Sequence, residues 1–177
     1  MNSKAKEVIN VIMSRKSVRK FTDQIVPKNI LELILKAGMA APSASNRQPW
    51  AFIIITDRAI LNKLADELPY AKMCYTASAA IVVCGVPEDI LTDKENAYWV
   101  QDCSAATENI LLAVKALELG AVWTACYPYE SRIKPVREIL GIPENIIPLN
   151  VIPIGYPAEE NLPKNKFKNE RIHWQNW

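Results

Sequence analysis

The stretch Pro42-Ser43-Ala44-Ser45-Asn46-Arg47-Gln48-Pro49 runs directly into Trp50-Ala51-Phe52-Ile53-Ile54-Ile55-Thr56, a polar loop feeding an unbroken apolar run. The run is short and rich in β-branched and aromatic side chains, so it reads as a buried strand. Asp57 follows as a helix N-cap, and Ile60, Leu61, Leu64 and Leu68 then recur at helical spacing. Loop, buried strand and amphipathic helix in immediate succession call for a sheet covered by helices. Two prolines stiffen the loop. Asn46 and Gln48 stand two apart, so their amides can face one ligand. Each amide offers a donor and an acceptor, which suits a heterocycle edge of alternating C=O and N–H groups. An Asx-rich turn leading into a strand would use the same residues without any ligand.

Outward from this stretch the pattern continues. Residues 4–13 place Val8, Ile9 and Ile12 on one helical face, ending at Ser14. Pro27 suits the start of a second helix, in which Ile30, Ile34, Ala37 and Ala41 form an apolar stripe that Pro42 stops. Residues 79–86 read as another buried strand. Residues 95–119 read as one long helix, apolar on most faces and ended by Gly120, which belongs at the centre of the molecule. Residues 121–127 and 149–154 read as strands, and residues 134–140 as a short helix ended by Gly141. The tail, residues 155–177, is polar and aperiodic yet finishes with Trp174 and Trp177. The expected organisation is one α+β domain spanning residues 1–177.

Composition narrows the function. A chain of 177 residues, 50% hydrophobic and 23% charged, is globular rather than disordered. A net charge of +2 argues against a nucleic-acid surface. The four cysteines form no C-x-x-C pair, and the lone histidine, His173, lies in the polar tail. No metal site and no Ser–His or Cys–His relay is therefore expected. The polar opening predicts no signal peptide, and no apolar run approaches the roughly 20 residues that cross a bilayer. The expectation is a reduced, cytoplasmic protein that engages neither membrane nor nucleic acid.

Two basic combs carry further chemistry. In Arg15-Lys16-Ser17-Val18-Arg19 an extended backbone would point Arg15, Ser17 and Arg19 the same way. Two guanidiniums flanking a hydroxyl suit a phosphate dianion, although a solvated basic loop would look alike. Lys164, Lys166 and Lys168 repeat the spacing in the tail and could close on the same phosphate.

Taken in order, these segments resemble the FMN-dependent nitroreductase family. The match lies in Arg15-Lys16-Ser17-Val18-Arg19 followed by Phe21, and in Ala41-Pro42-Ser43 with Asn46 and Gln48-Pro49-Trp50. It continues through Gly120-Ala121-Val122-Trp123-Thr124-Ala125-Cys126-Tyr127-Pro128-Tyr129-Glu130 and Gly155-Tyr156-Pro157. Lys164-Asn165-Lys166 and Arg171-Ile172-His173-Trp174 complete it, so the likeness spans essentially the whole chain.

The resemblance implies a nitroreductase-like α+β fold with a mixed central sheet flanked by helices. It also implies a domain-swapped homodimer with FMN at the subunit interface and the tail embracing the partner. Arg15, Ser17, Lys164 and Lys166 match positions that hold the FMN phosphate and ribityl chain. Lys16 and Lys166 stand where arginine is frequent, which keeps charge but loses the bidentate fork. Arg19 matches the cation beside the pyrimidine edge. Pro42, Ser43, Ser45 and Asn46 match a loop reaching the flavin of the other subunit, with Gln48 beside them. Pro128, Tyr129 and Glu130 match the segment along the flavin, the Glu130 N–H facing N5. The implied reaction passes hydride from NADH or NADPH through flavin N5 to a small-molecule acceptor such as a nitroaromatic or quinone. No catalytic side chain is implied. A flavin-storage protein, or a relative performing dehalogenation or flavin fragmentation, would carry the same motifs. The compact segment 85–96 leaves little room for a lid over the flavin.

Overall fold

The computed structural model describes residues 2–86, 98–159 and 162–177. Its helices are α1 (Ser3–Ser14), α2 (Lys28–Met39), α3 (Arg58–Glu67), α4 (Trp99–Ala116) and α5 (Glu130–Leu140). Its strands are β1 (Trp50–Ile55), β2 (Ala79–Gly85), β3 (Gly120–Ala121), β4 (Thr124–Ala125) and β5 (Ile147–Gly155). The sheet runs β1-β2-β5-β3, with β4 also on β5, and every one of these ladders is antiparallel. The mixed character expected of it comes from one parallel bridge, Ser17 to Ala121.

Helices cover both faces of this sheet. Ala79, Ile81 and Val83 of β2 face α2 and α4, meeting Leu31, Ile34, Ile110 and Val114. Ala80, Val82 and Cys84 face α3 and α5, meeting Leu61, Leu64, Ile133 and Val136. A strand buried on both faces has no reason to alternate, which is why β2 reads as continuous apolar sequence. The run at β1 reads the same way but lies at the sheet edge and is only partly covered, with Ile54 exposed. Edge position, not composition, decides that difference.

Local signals set several boundaries. The Asp57 carboxylate accepts from the Ile60 N–H and starts α3, and Gly141 closes α5 in the left-handed conformation, φ 63°. Pro27 precedes α2 as its N-cap rather than its first helical residue. The strand expected over residues 121–127 is instead two short pieces, β3 and β4, both on β5. α5 begins four residues before the expected start and carries Pro135 inside it. β5 extends beyond the expected residues 149–154 at both ends. α4 is central as expected, but the portion of that expectation over residues 95–97, and most of the compact segment 85–96, lies outside the described residues. α1 buries none of its side chains within the chain, so its stripe of Val8, Ile9 and Ile12 stays exposed. No helix among the described residues is long and apolar enough to cross a membrane.

Candidate functional site

The site is assembled around the segment that leaves α1. Arg15 caps the helix, its N–H bonding to Val11 O at 3.1 Å. The chain then runs beside β3, where the Val18 N–H donates to Ala121 O at 2.9 Å. Gly120 permits this approach, because a Cβ there would lie 2.7 Å from Val18. Arg15, Lys16 and Val18 line a cleft of about 720 Å³ together with Lys115, Leu119 and Leu162, with the carboxylates of Glu118 and Glu159 on its wall. The Arg15 side chain is 19% exposed, and its Nε lies 3.5 Å from Glu108. Arg19 lines a separate cleft of about 400 Å³ with Tyr70, Lys72 and Trp123. Ser17 and Arg19 share a small hollow with Lys16, Val18 and Lys20, so residues of both parities line it and the expected alternation is not seen, and Arg15 is not among them. Arg15 still caps α1, which sets it apart from the extended residues that follow.

The Pro42–Pro49 loop is not extended. Residues Ala44–Asn46 make a 3-10 turn, and Ser45, Asn46 and Gln48 hold φ near 50°, 55° and 52°. Left-handed backbone at non-glycine residues costs on the order of 1 kcal/mol each and clusters at functional sites. The Gln48 side-chain amide donates to Asn46 Oδ1 at 3.1 Å, and the Gln48 N–H donates to Ser43 Oγ at 2.9 Å. The two amides do meet on one side, already joined to each other. Ser45, Asn46 and Gln48 are exposed, and Pro42 is exposed beside them.

The third segment follows β4. The Tyr127–Pro128 peptide is cis, and Tyr127 meets Trp99 edge-on with ring centroids 4.9 Å apart. Glu130 opens α5, where its N–H has no partner among the described residues and remains available to a ligand. The Arg132 guanidinium lies over the rings of Tyr129, at 4.1 Å, and Tyr70, at 5.0 Å, which places α5 beside the Arg19 cleft.

Lys164 and Lys166 lie in the exposed tail and line neither cleft in the single chain. His173 is exposed and stacks on Trp177, with centroids 4.4 Å apart. Sequence reasoning missed Asp102, Trp99, Lys72, Tyr70 and Arg132. A signal for Asp102 was present: a carboxylate among the apolar positions of a central helix needs a donor. All four thiols are buried, and burial pushes each of them up to about 12. They stay protonated at neutral pH and are poor nucleophiles.

The fold agrees with the comparisons. The sequence matches the nitroreductase family over residues 12–69 and 64–156. It is 46% identical over 174 residues to a provisionally named NADH dehydrogenase/NAD(P)H nitroreductase of Archaeoglobus fulgidus, covering 97% of this chain and 99% of that one. The crystal structure of a protein of the same provisional name from Parabacteroides distasonis superimposes with a TM-score of 0.90 at 47% identity, covering 97% and 99% of the chains. An FMN-dependent nitroreductase from Clostridium difficile superimposes at 0.87 with 29% identity, covering 96% and 99%. The chain belongs to the nitroreductase family, and with it to the oxidoreductases.

Proposed function

We propose that this protein is an FMN-dependent oxidoreductase that draws reducing equivalents from NADH or NADPH and passes them to small acceptors such as nitroaromatics or quinones. The observation that carries the reading is the donor set at residues 15–19. Arg15 and Lys16 line a cleft of about 720 Å³, and Lys16 also lines the hollow that holds Ser17 and Arg19. Lys16 and Arg19 have no ion-pair partner among the described residues. Paired guanidinium donors, an ammonium and a hydroxyl suit a phosphate dianion, so the residues present fit FMN.

Arg15, Lys16 and Ser17 would hold the phosphate, joined by Lys164 and Lys166 once the tail is placed by a partner. Arg19 sets positive charge beside Tyr70 and Trp123, where it favours a ring that gains electrons. The Glu130 N–H, the Pro128–Tyr129 backbone and the Pro42, Ser43, Ser45, Asn46 and Gln48 loop would orient the ring. When bound, the flavin supplies the two-electron transfer that no side chain of this chain can perform.

The functional unit in this reading is a homodimer. α1 leaves Val8, Ile9, Ile12 and Met13 exposed, and the tail leaves Leu162, Phe167, Trp174 and Trp177 exposed. Such apolar surface on two separate elements fits a second copy of the chain. Free, buried cysteines fit a reducing cytoplasm. Anaerobic titration with NADH and NADPH, followed by a panel of acceptors, tests the reaction. Bleaching of the flavin colour and its return on adding acceptor are expected. A flavin that neither nucleotide bleaches would mark a storage protein instead.

A further inference from the structure

Loop 42–49 holds three non-glycine residues in left-handed conformations, and backbone of that kind persists only where the surroundings over-determine it. The surroundings here are two successive residues of α4. Asp102 is 7% exposed, and its Oδ1 accepts from the Ala44 N–H at 3.0 Å. The Cys103 thiol lies 3.4 Å from Pro49 O at the other end of the loop. Within the loop, Ser43 Oγ takes the Gln48 N–H and closes the ring. α4 thus holds both ends of the loop, and the grip at Ala44 is made by a buried carboxylate.

A buried carboxylate such as that of Asp102 is costly unless a donor compensates it. Helix packing alone would place an apolar residue there. The Ala44 N–H lies between Ser43 and Ser45, so its orientation fixes the direction in which Ser43, Ser45 and Asn46 project. We infer that Asp102 is a positioning residue for the cofactor, fastening the Ala44 N–H so that the loop presents its polar side chains to the flavin. This rests on the proposed FMN reading. A charge-assisted bond from carboxylate to backbone N–H is also the stronger sort of hydrogen bond, fit to hold a strained turn.

The test measures FMN dissociation constants and the visible circular dichroism of bound flavin for wild-type protein, Asp102→Ala, Asp102→Asn and Thr107→Val. The Thr107 hydroxyl, on the same helix, accepts from the Asn150 amide and donates to Cys103 O within the helix; neither bond reaches the loop, so it controls for loss of core stability. Asp102→Ala is expected to raise the FMN dissociation constant at least about tenfold and to change the dichroism. Asp102→Asn, which keeps an acceptor oxygen, should restore most of both. Thr107→Val should lower Tm yet leave both unchanged. Wild-type affinity and dichroism in Asp102→Ala would overturn the inference, as would equal losses in Asp102→Ala and Thr107→Val. A wild-type protein that binds no FMN would instead overturn the proposed function on which the inference stands.

Discussion

Arg15 and Arg19 are four residues apart in one basic segment, yet they stand in different clefts and should fail differently. Loss of a charge-assisted bond is worth about 1.5–3 kcal/mol, so Arg15→Ala should weaken FMN binding by about that much. Arg19→Ala should lower the flavin midpoint potential more than it lowers affinity, because it removes charge beside the ring. A redox titration with an unchanged midpoint would mean that the roles are misassigned. The thiols give a pH prediction at the same scale. Burial pushes each of them up to about 12, above the ordinary thiol value of 9.0, so the folded state keeps protons that the unfolded chain releases. Stability is therefore full below about pH 9 and falls as pH rises through the window from 9 to 12. Thermal melts from pH 8 to 11 should show a declining Tm, and a flat profile would contradict the thiol account. The basic and amide residues of the candidate site could be proposed from sequence because their chemistry is in their side chains. Asp102 announced only that it needs a donor; which donor was hidden, because it is a backbone N–H 58 residues away that no side-chain pattern marks.

Elements were legible wherever the signal was local. Asp57 and Gly141 mark helix ends through their own side chain and backbone, and both hold. β3 and β4 were not separable because their break depends on how β5 receives them: Ala121 pairs with Ile154 and Thr124 with Val151. The start of α5 was hidden by Pro135, which invites a later start by occupying an early position. Yet the helix accepts the proline in its second turn. The contact between β3 and the segment 15–19 yields a prediction for the element. Gly120→Ala would place a methyl 2.7 Å from Val18, whose three side-chain carbons cannot swing clear while its N–H holds Ala121. Overpacking of this sort costs about 1–3 kcal/mol. Tm should fall by several degrees, and FMN affinity should fall with it because the displaced segment carries the proposed phosphate donors. An intact affinity would show that β3 does not set the geometry of that segment.

For the whole molecule, the sheet covered on both faces followed from apolar runs without alternation, and the central place of α4 followed from its apolar faces. In the proposed reading one chain does not complete the site. Lys164 and Lys166 project from a tail whose Trp177 is fully exposed, at 101%. Each tryptophan can bury about 150–250 Å², and at about 25 cal/mol per Å² that is several kcal/mol before the ordering cost is subtracted. A partner that covers Trp174 and Trp177 would bring the lysine comb into place. Replacing both by serine should therefore shift the protein toward monomer by sedimentation and lower its bound flavin together. A stable dimer with full flavin content would show that the tryptophans play no part in assembly. Beneath all of these expectations lies the identity of the cofactor. The most direct measurement is to denature the purified protein and identify the released chromophore by absorbance and mass. Non-covalent FMN, near one per chain, is predicted; FAD, or no flavin even after incubation with excess FMN, would contradict the account.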